Sequence, residues 1–260
     1  MFAALTRLPL GGAVVNGTCE SDWPEVTALC TTSSTLLRAS YGLHPWHVGN
    51  ASPQWRETLL RTLDVQPRAA LGEIGLDRWI IDRARPDDPR LAGLRRASLE
   101  EQREAFVWQL RLATERNLPV TIHCLEAWGA LTEILRTHPL PARGFLLHAY
   151  GGSADIAQKL LPLGARFSFN GSFLHERHLA KREVFKGLPL DRLLVETDAP
   201  AMPLAPSQRA YALPDLSDGT AINHPANLVV AYEGLAAIRG MPRDALATAV
   251  AENFSRFFGA

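Results

Sequence analysis

Long apolar runs, net charge and cysteine are all scarce in this chain, and each scarcity removes a class of protein. No stretch of its 260 residues approaches the roughly 18 consecutive apolar positions that a membrane-spanning helix needs. The first nine residues lack the apolar run and small-residue cleavage site of a signal peptide, so no secretion signal is expected. Lys and Arg number 27 and Asp and Glu also number 27, which leaves no bulk basic field to drive non-specific duplex binding. Any contact with nucleic acid has to be local. The three cysteines, Cys19, Cys30 and Cys124, make no CxxC pair and no metal-finger spacing. An odd number without such spacing points to a reducing cytosol rather than a disulfide framework, and a cytoplasmic protein is expected.

What is present is apolar substance in short pieces. Hydrophobic residues make up 47% of the chain, enough for a large core, and the length suits one α/β barrel domain over 1–260. Short β-branched or apolar runs alternate with longer helical patterns, the signature of repeated βα units and a parallel sheet. Seven strands are expected, at 12–16, 39–43, 69–73, 119–123, 144–148, 166–170 and 193–197. Helical patterns fall at 23–30, 53–63, 98–117, 127–137, 153–161, 176–185, 226–239 and 243–258. The pattern at 98–117 is the best formed, with a capping box of Ser98 and Glu101 and an apolar face of Phe106, Leu110 and Ala113. A closed barrel needs eight strands, so one is missing from the count, and residues 2–8 read as the tail of a helix that feeds the first strand. Two long connections, 77–97 and 199–224, are expected over the mouth of the barrel.

Four of the strand-like runs end in a side chain able to bind metal. They are Leu71-Gly72-Glu73-Ile74-Gly75, Val120-Thr121-Ile122-His123, Phe145-Leu146-Leu147-His148 and Leu194-Val195-Glu196-Thr197-Asp198. Two carboxylates and two imidazoles at the C-terminal ends of parallel strands make a divalent-metal site and suggest a metal-dependent hydrolase. Each residue also has a plainer reading. Glu73 is otherwise a buried acid paired with an arginine, and His123 or His148 taken singly is a satisfied core histidine. His44, before Pro45, either touches a substrate phosphate or caps a turn. His47, His175 and His178 read as residues of solvated loops. Glu196 reads as a group that holds its neighbours in place rather than a ligand. Cys124 reads as a small buried side chain, since no histidine and acid accompany it as they would a nucleophile. Trp46, Trp79 and Trp128 near the strand ends either stack on unpaired bases or cover the rim. Arg78, Arg83 and Arg85 either bind phosphate or solvate a long loop.

Six motifs, in order and spacing, resemble the TatD-type metal-dependent deoxyribonucleases. They are Gly42-Leu43-His44-Pro45, Gly72-Glu73-Ile74-Gly75-Leu76-Asp77, Ile122-His123-Cys124, the His148 strand, Glu196-Thr197-Asp198-Ala199-Pro200 and Asn223-His224-Pro225-Ala226-Asn227. The resemblance runs from about Gly12 to Phe258. It implies a TIM (β/α) barrel of the metal-dependent hydrolase, amidohydrolase-like type with a two-metal site. In it Glu73 bridges the metals, His123 and His148 bind one, and Asp198 completes the site. Two cations roughly 3.5–4 Å apart acidify water, polarise a phosphoryl oxygen and stabilise the leaving oxygen. Asp198 is then placed to touch metal and to take the proton of the attacking water. A mixed imidazole and carboxylate shell suits Mg²⁺, Mn²⁺ or Zn²⁺ without choosing among them.

The chain departs from that family in two places. The family opens with an Asp-x-His-x-His strand, and nothing before His44 matches it. Either the true start lies upstream of Met1, which is the preferred expectation, or those ligands have been lost. The family's Asn-Glu-Pro stands here as Asn223-His224-Pro225. The leading expectation is a monomeric phosphodiesterase that trims single-stranded DNA 3′ ends, with His44, Trp46, Arg78 and Trp79 on the substrate and no membrane partner. The alternatives are a barrel hydrolase acting on another ester or amide, and a catalytically impaired scaffold.

Overall fold

Alternation of strand and helix persists through the chain, which a computed structural model describes for residues 10–217 and 219–259. In chain order the elements are β1 (Ala13–Asn16), α1 (Trp23–Thr32), β2 (Leu37–Tyr41), α2 (Trp55–Val65), β3 (Ala70–Asp77) and α3 (Trp79–Asp82). There follow α4 (Leu99–Glu115), β4 (Val120–Leu125), α5 (Trp128–Thr137), β5 (Phe145–Leu147) and α6 (Ala154–Leu160). The last are β6 (Ala165–Asn170), α7 (Leu179–Gly187), β7 (Leu193–Glu196), α8 (Leu228–Arg239) and α9 (Arg243–Phe254). Among the described residues β1 to β5 pair in parallel and in chain order, and β6 pairs in parallel with β7, as the βα alternation requires. The helix tail expected at residues 2–8 lies outside the described residues.

The described residues form two compact units, 12–147 with 158–165, and 10–11 with 148–157 and 166–259. The first holds β1 to β5. Its central feature is the pair β3–β4, in register at Leu71↔Val120 and again from Ile74↔Ile122 to Asp77↔Leu125. Between these points β3 advances three residues while β4 advances two, so Gly72-Glu73 forms a bulge. The strand expected at 69–73 therefore does not stop at Glu73 but runs on to Asp77, and β4 runs past His123 to Leu125. Both residues sit inside strands rather than at their ends. Gly75 allows the extension: its φ is +146° and an added Cβ would lie 2.0 Å from the His123 carbonyl oxygen. The two backbones meet where no side chain fits.

Helix α4 packs on β3 with the expected face, Phe106, Leu110 and Ala113, all fully buried. Its capping box is formed: Ser98 Oγ accepts from Glu101 N, and Glu101 Oε2 accepts from Ser98 N at 2.8 Å. The connection 77–97 has a small core of its own, Ile80, Ala84 and Leu91 under Trp46, Trp79, Ile81 and Leu94. This is why a short helix, α3, forms where a plain loop was expected.

The second unit pairs β6 with β7 from Phe167↔Leu193 to Asn170↔Glu196. Phe167, Phe169, Phe173 and Phe185 fill its core. Two buried or half-buried side chains tie helix ends to it. Arg239 Nη1 donates to the carbonyls of Phe185 and Leu188, at 2.6 and 2.8 Å, and Asn253 Nδ2 donates to those of Leu190 and Leu193. The helix expected at 176–185 starts at Leu179, because His175 Nδ1 accepts from Arg177 N and holds a 3-10 turn ahead of it. The helix expected at 243–258 ends at Phe254 and widens into a π turn that buries Phe257 and Phe258.

Gly75→Ala is expected to abolish soluble expression or lower the melting temperature by more than 10 °C, since backbone rather than a movable side chain blocks the new methyl (about 3 kcal/mol or more). Gly129→Ala, in α5 with nothing within 4 Å, is the control and should be neutral or slightly stabilising. Equal melting of the two variants would refute the close-approach account.

Candidate metal centre

In the first unit, His44, Glu73 and His123 offer ligand atoms that all lie within 4.8 Å of one another. Glu73 sits in the bulge of β3, near His123 on β4 and His44 in the loop that follows β2. His44 Nε2 stands 3.6 Å from Glu73 Oε2, and the two rings lie 4.4 Å apart, edge to face. His44 and Glu73 are buried.

The two imidazoles are held differently. His123 Nε2 is 3.0 Å from Asp77 Oδ2. Asp77 is fully buried and takes two further N–H donors, Trp46 Nε1 on Oδ2 at 2.6 Å and Ile80 N on Oδ1 at 3.0 Å. A carboxylate surrounded by donors acts as acceptor, so it draws the His123 proton to Nε2. His44 Nδ1 instead accepts from Trp46 N at 3.2 Å, so the neutral ring carries its proton on Nε2. The turn-capping role foreseen for His44 is made, and the nitrogen facing Glu73 is a donor suited to an anionic oxygen.

Two glutamines that the sequence reading passed over position this site. Gln102 and Gln109 lie seven residues apart on the buried face of α4. Gln109 Oε1 accepts from Leu43 N at 2.8 Å and its Nε2 donates to Leu43 O, one residue before His44. Gln102 grips Asp77 in the same way, through its N at 2.8 Å and its O at 3.1 Å. Their signal was two amides at i and i+7 within an otherwise apolar stripe.

In the second unit, His148 and Asp198 offer ligand atoms within 4.8 Å of each other. His148 follows β5 directly, and Asp198 lies two residues beyond β7. Asp198 has φ +59° and Ala149 has φ +41°, a left-handed region that costs a residue with a Cβ about 1–2 kcal/mol. Backbone strain flanks both candidate ligands. His148 Nδ1 is 3.6 Å from Glu196 Oε1. Burial pushes the Glu196 pKa up, but hydrogen bonds from His148, Ser168 and Asn170 outweigh it and hold the carboxyl below its ordinary value. Glu196 is thus the orienting group that the sequence suggested. Asn223 Nδ2 ties the Asp198 turn down through the carbonyls of Thr197 and Met202, at 2.8 and 3.2 Å. His224 Nδ1 accepts from Ala226 N and caps the next turn, a task its imidazole performs in this Asn-His-Pro form of the motif.

The remaining candidates divide. Trp79 stacks on Trp46, with centroids 6.1 Å apart, and Arg90 lies over Trp79. Arg78 is exposed and paired with Asp82, Arg83 with Glu126 and Arg85 with Asp87. His47 is not solvated: it is half-buried, and burial lowers its pKa against the pull of Asp22. His178 is likewise half-buried, whereas His175 is exposed. Cys124 is buried and burial pushes its thiol well up, which removes it as a nucleophile.

Asp77→Asn replaces an acceptor among three donors by an amide. The urea midpoint should fall by the equivalent of about 2 kcal/mol, whereas Asp82→Asn, at an exposed pair, should change it by under about 0.5 kcal/mol. Similar midpoints for the two variants would show that Asp77 does not organise the site.

The model of the TatD related DNase family matches residues 4–259. A metal-dependent hydrolase of Escherichia coli K12, YjjV, named as uncharacterized, is 31% identical over 251 residues, 96% of this chain and 86% of the relative. The 3'-5' ssDNA/RNA exonuclease TatD of Pantoea vagans is 29% identical over 249 residues, 95% of this chain and 87% of its own. The crystal structure of YjjV superposes with a TM-score of 0.82 at 29% identity, over 100% of this chain and 90% of that one. A TatD family hydrolase from Entamoeba histolytica gives a TM-score of 0.78 at 18% identity and supports the fold alone. Strand order, paired histidine and carboxylate clusters, and these matches together place the chain in the TatD related DNase family of metal-dependent hydrolases, with that family's TIM-barrel-like fold.

Proposed function

We propose that this protein is a metal-dependent phosphodiesterase that trims single-stranded DNA from its 3′ ends. Divalent cations, Mg²⁺, Mn²⁺ or Zn²⁺ and two in a complete site, would be held by Glu73 and His123 in the first unit and by His148 and Asp198 in the second. One observation carries the reading: each candidate histidine ligand has a carboxylate behind it, Asp77 for His123 and Glu196 for His148. A carboxylate at the back of an imidazole fixes its tautomer and raises its basicity, the support that metal-binding histidines need. The Pantoea relative, named an exonuclease on single-stranded DNA and RNA, supports the substrate class.

Bound cations supply Lewis-acid activation of water and of the phosphoryl oxygen. The chain does the rest. Glu73 would contribute a carboxylate oxygen beside His44 and His123. Asp198, held in a strained turn by Asn223, accepts the proton of the attacking water at a carboxylate oxygen. The His44 Nε2–H donates to a substrate oxygen, with its other nitrogen fixed by Trp46 N. Trp46, Trp79 and Arg78 border the substrate. A second reading, hydrolysis of another ester or amide, draws on the pairing of Arg78 with Asp82, which occupies a cation that phosphate would otherwise take.

The test is release of mononucleotides from 5′-labelled single-stranded DNA with Mg²⁺ or Mn²⁺ and with EDTA. Release should require the cation and should fall about 10²–10⁴-fold in Asp198→Asn, while His123→Ala should also reduce Mn²⁺ uptake in equilibrium dialysis. Release that persists in EDTA would sink the metal reading. Turnover of carboxylic esters or amides without release from DNA would favour the second reading.

A further inference from the structure

The stretch from β6 to α7, within the second unit, is rich in cations, with Glu176 as the one acid among them and Glu183 just beyond. His175, Arg177, His178, Lys181 and Arg182 occupy five of eight consecutive positions. Lys181 is half-buried, with its ammonium 4.4 Å from the ring centroid of Phe173, itself buried. The same ammonium lies over Gly151, where an added Cβ would stand 3.4 Å from Nζ. Gly151 is three residues beyond His148, so Lys181 overhangs the loop that leaves a candidate ligand.

The charged groups that shift Lys181 and His178 are all cationic. Burial lowers the Lys181 pKa and Arg177 lowers it further. Burial lowers His178 to about 4, with Lys181, Arg177, His175 and Arg182 adding to the effect. His178 is therefore neutral near pH 7, and its Nε2 accepts from Arg177 Nε at 3.0 Å, which fixes the direction of the guanidinium. Arg182 Nε is buried without a hydrogen-bond partner. In the loop 77–97, by contrast, Arg78, Arg83, Arg85 and Arg90 each meet a carboxylate. Half-burying an ammonium against an aromatic face recovers only part of its lost hydration, and a multiply charged anion would supply the rest.

We propose that Arg177 and Lys181, positioned by His178 and Phe173, bind a backbone phosphate of the nucleic-acid strand next to the one that is cut. The assignment rests on the nuclease reading above and gives the strand a place on this chain that the sequence motifs do not indicate. An arginine with one edge fixed offers its remaining N–H groups to phosphate oxygens as a fork, and a lysine beside it adds a point charge. Such a contact tracks the backbone and is indifferent to base sequence.

The experiment measures binding of fluorescein-labelled (dT)8 by anisotropy in EDTA, over a salt series, for the wild type, Arg177→Gln, Lys181→Gln, the double variant, Lys181→Arg and Lys186→Gln. Lys186 is an exposed cation at the other end of α7 and controls for net charge. Each single substitution should weaken binding roughly tenfold and reduce the salt slope by about 0.7, as expected for one lost contact to a single strand. Lys181→Arg should retain most of the affinity, and Lys186→Gln should change it by less than about twofold. With Mn²⁺ present, the double variant should raise KM for (dT)8 far more than it lowers kcat. It should also lose much more activity on (dT)8 than on bis(p-nitrophenyl) phosphate, which has no neighbouring phosphate. Unaltered affinity and slope in the well-folded double variant, or an equal loss in Lys186→Gln, would overturn the phosphate site while leaving the nuclease reading intact. A wild type that hydrolyses the small diester but neither binds nor degrades (dT)8 would overturn both.

Discussion

The buried carboxylate of Asp77 is the constraint on which the first unit turns. It accepts from His123, Trp46 and Ile80, and its main chain is gripped on both sides by Gln102. An anion with no exposure persists only when its lone pairs are filled by well-aligned donors. Each of those donors belongs to a different piece of structure: β4, the turn after β2, α3 and α4. One residue thereby orients a candidate ligand, the rim tryptophan and the start of the connecting loop. Because Gly75 brings β3 and β4 together just before it, the carboxylate reaches His123 without a gap.

The second unit solves the same problem from different parts. Glu196 lies under His148 at the end of β7, and Ser168 and Asn170 of the neighbouring strand share the work of satisfying it. The repeated device is an imidazole with a carboxylate behind it, with Nε2 bound back in His123 and Nδ1 in His148. Around Asp198 the fold tolerates left-handed backbone, and Asn223 and Asn227 hold the surrounding turns with side-chain amides where no strand ladder is available.

Several of these features were legible in residue order. The seven strands, the α4 capping box with its Phe106, Leu110 and Ala113 face, the TatD resemblance and the inertness of Cys124 all rest on local pattern, and local pattern survives folding. The strand ends were less legible. Glu73 and His123 lie inside their strands because a bulge and a glycine contact with the next strand let the ladder continue, and no single-strand periodicity encodes a neighbour. Gln102 and Gln109 were missed for a related reason: a buried amide looks like a flaw in an apolar stripe until the main chain that it serves is in view. His47 and His178 were read as solvated from loop composition, whereas packing from other segments half-buries them.

By itself, then, the sequence determined the βα alternation, the family and the residue types able to bind metal, since each depends on spacing within one segment. Tertiary structure alone decided which nitrogen of each histidine meets a carboxylate, that Arg78, Arg83, Arg85 and Arg90 are paired with acids, and that the Lys181 ammonium rests on the face of Phe173. Those outcomes depend on hydrogen bonds and charges contributed by residues distant in the chain, whose juxtaposition exists only once the strands and helices have packed.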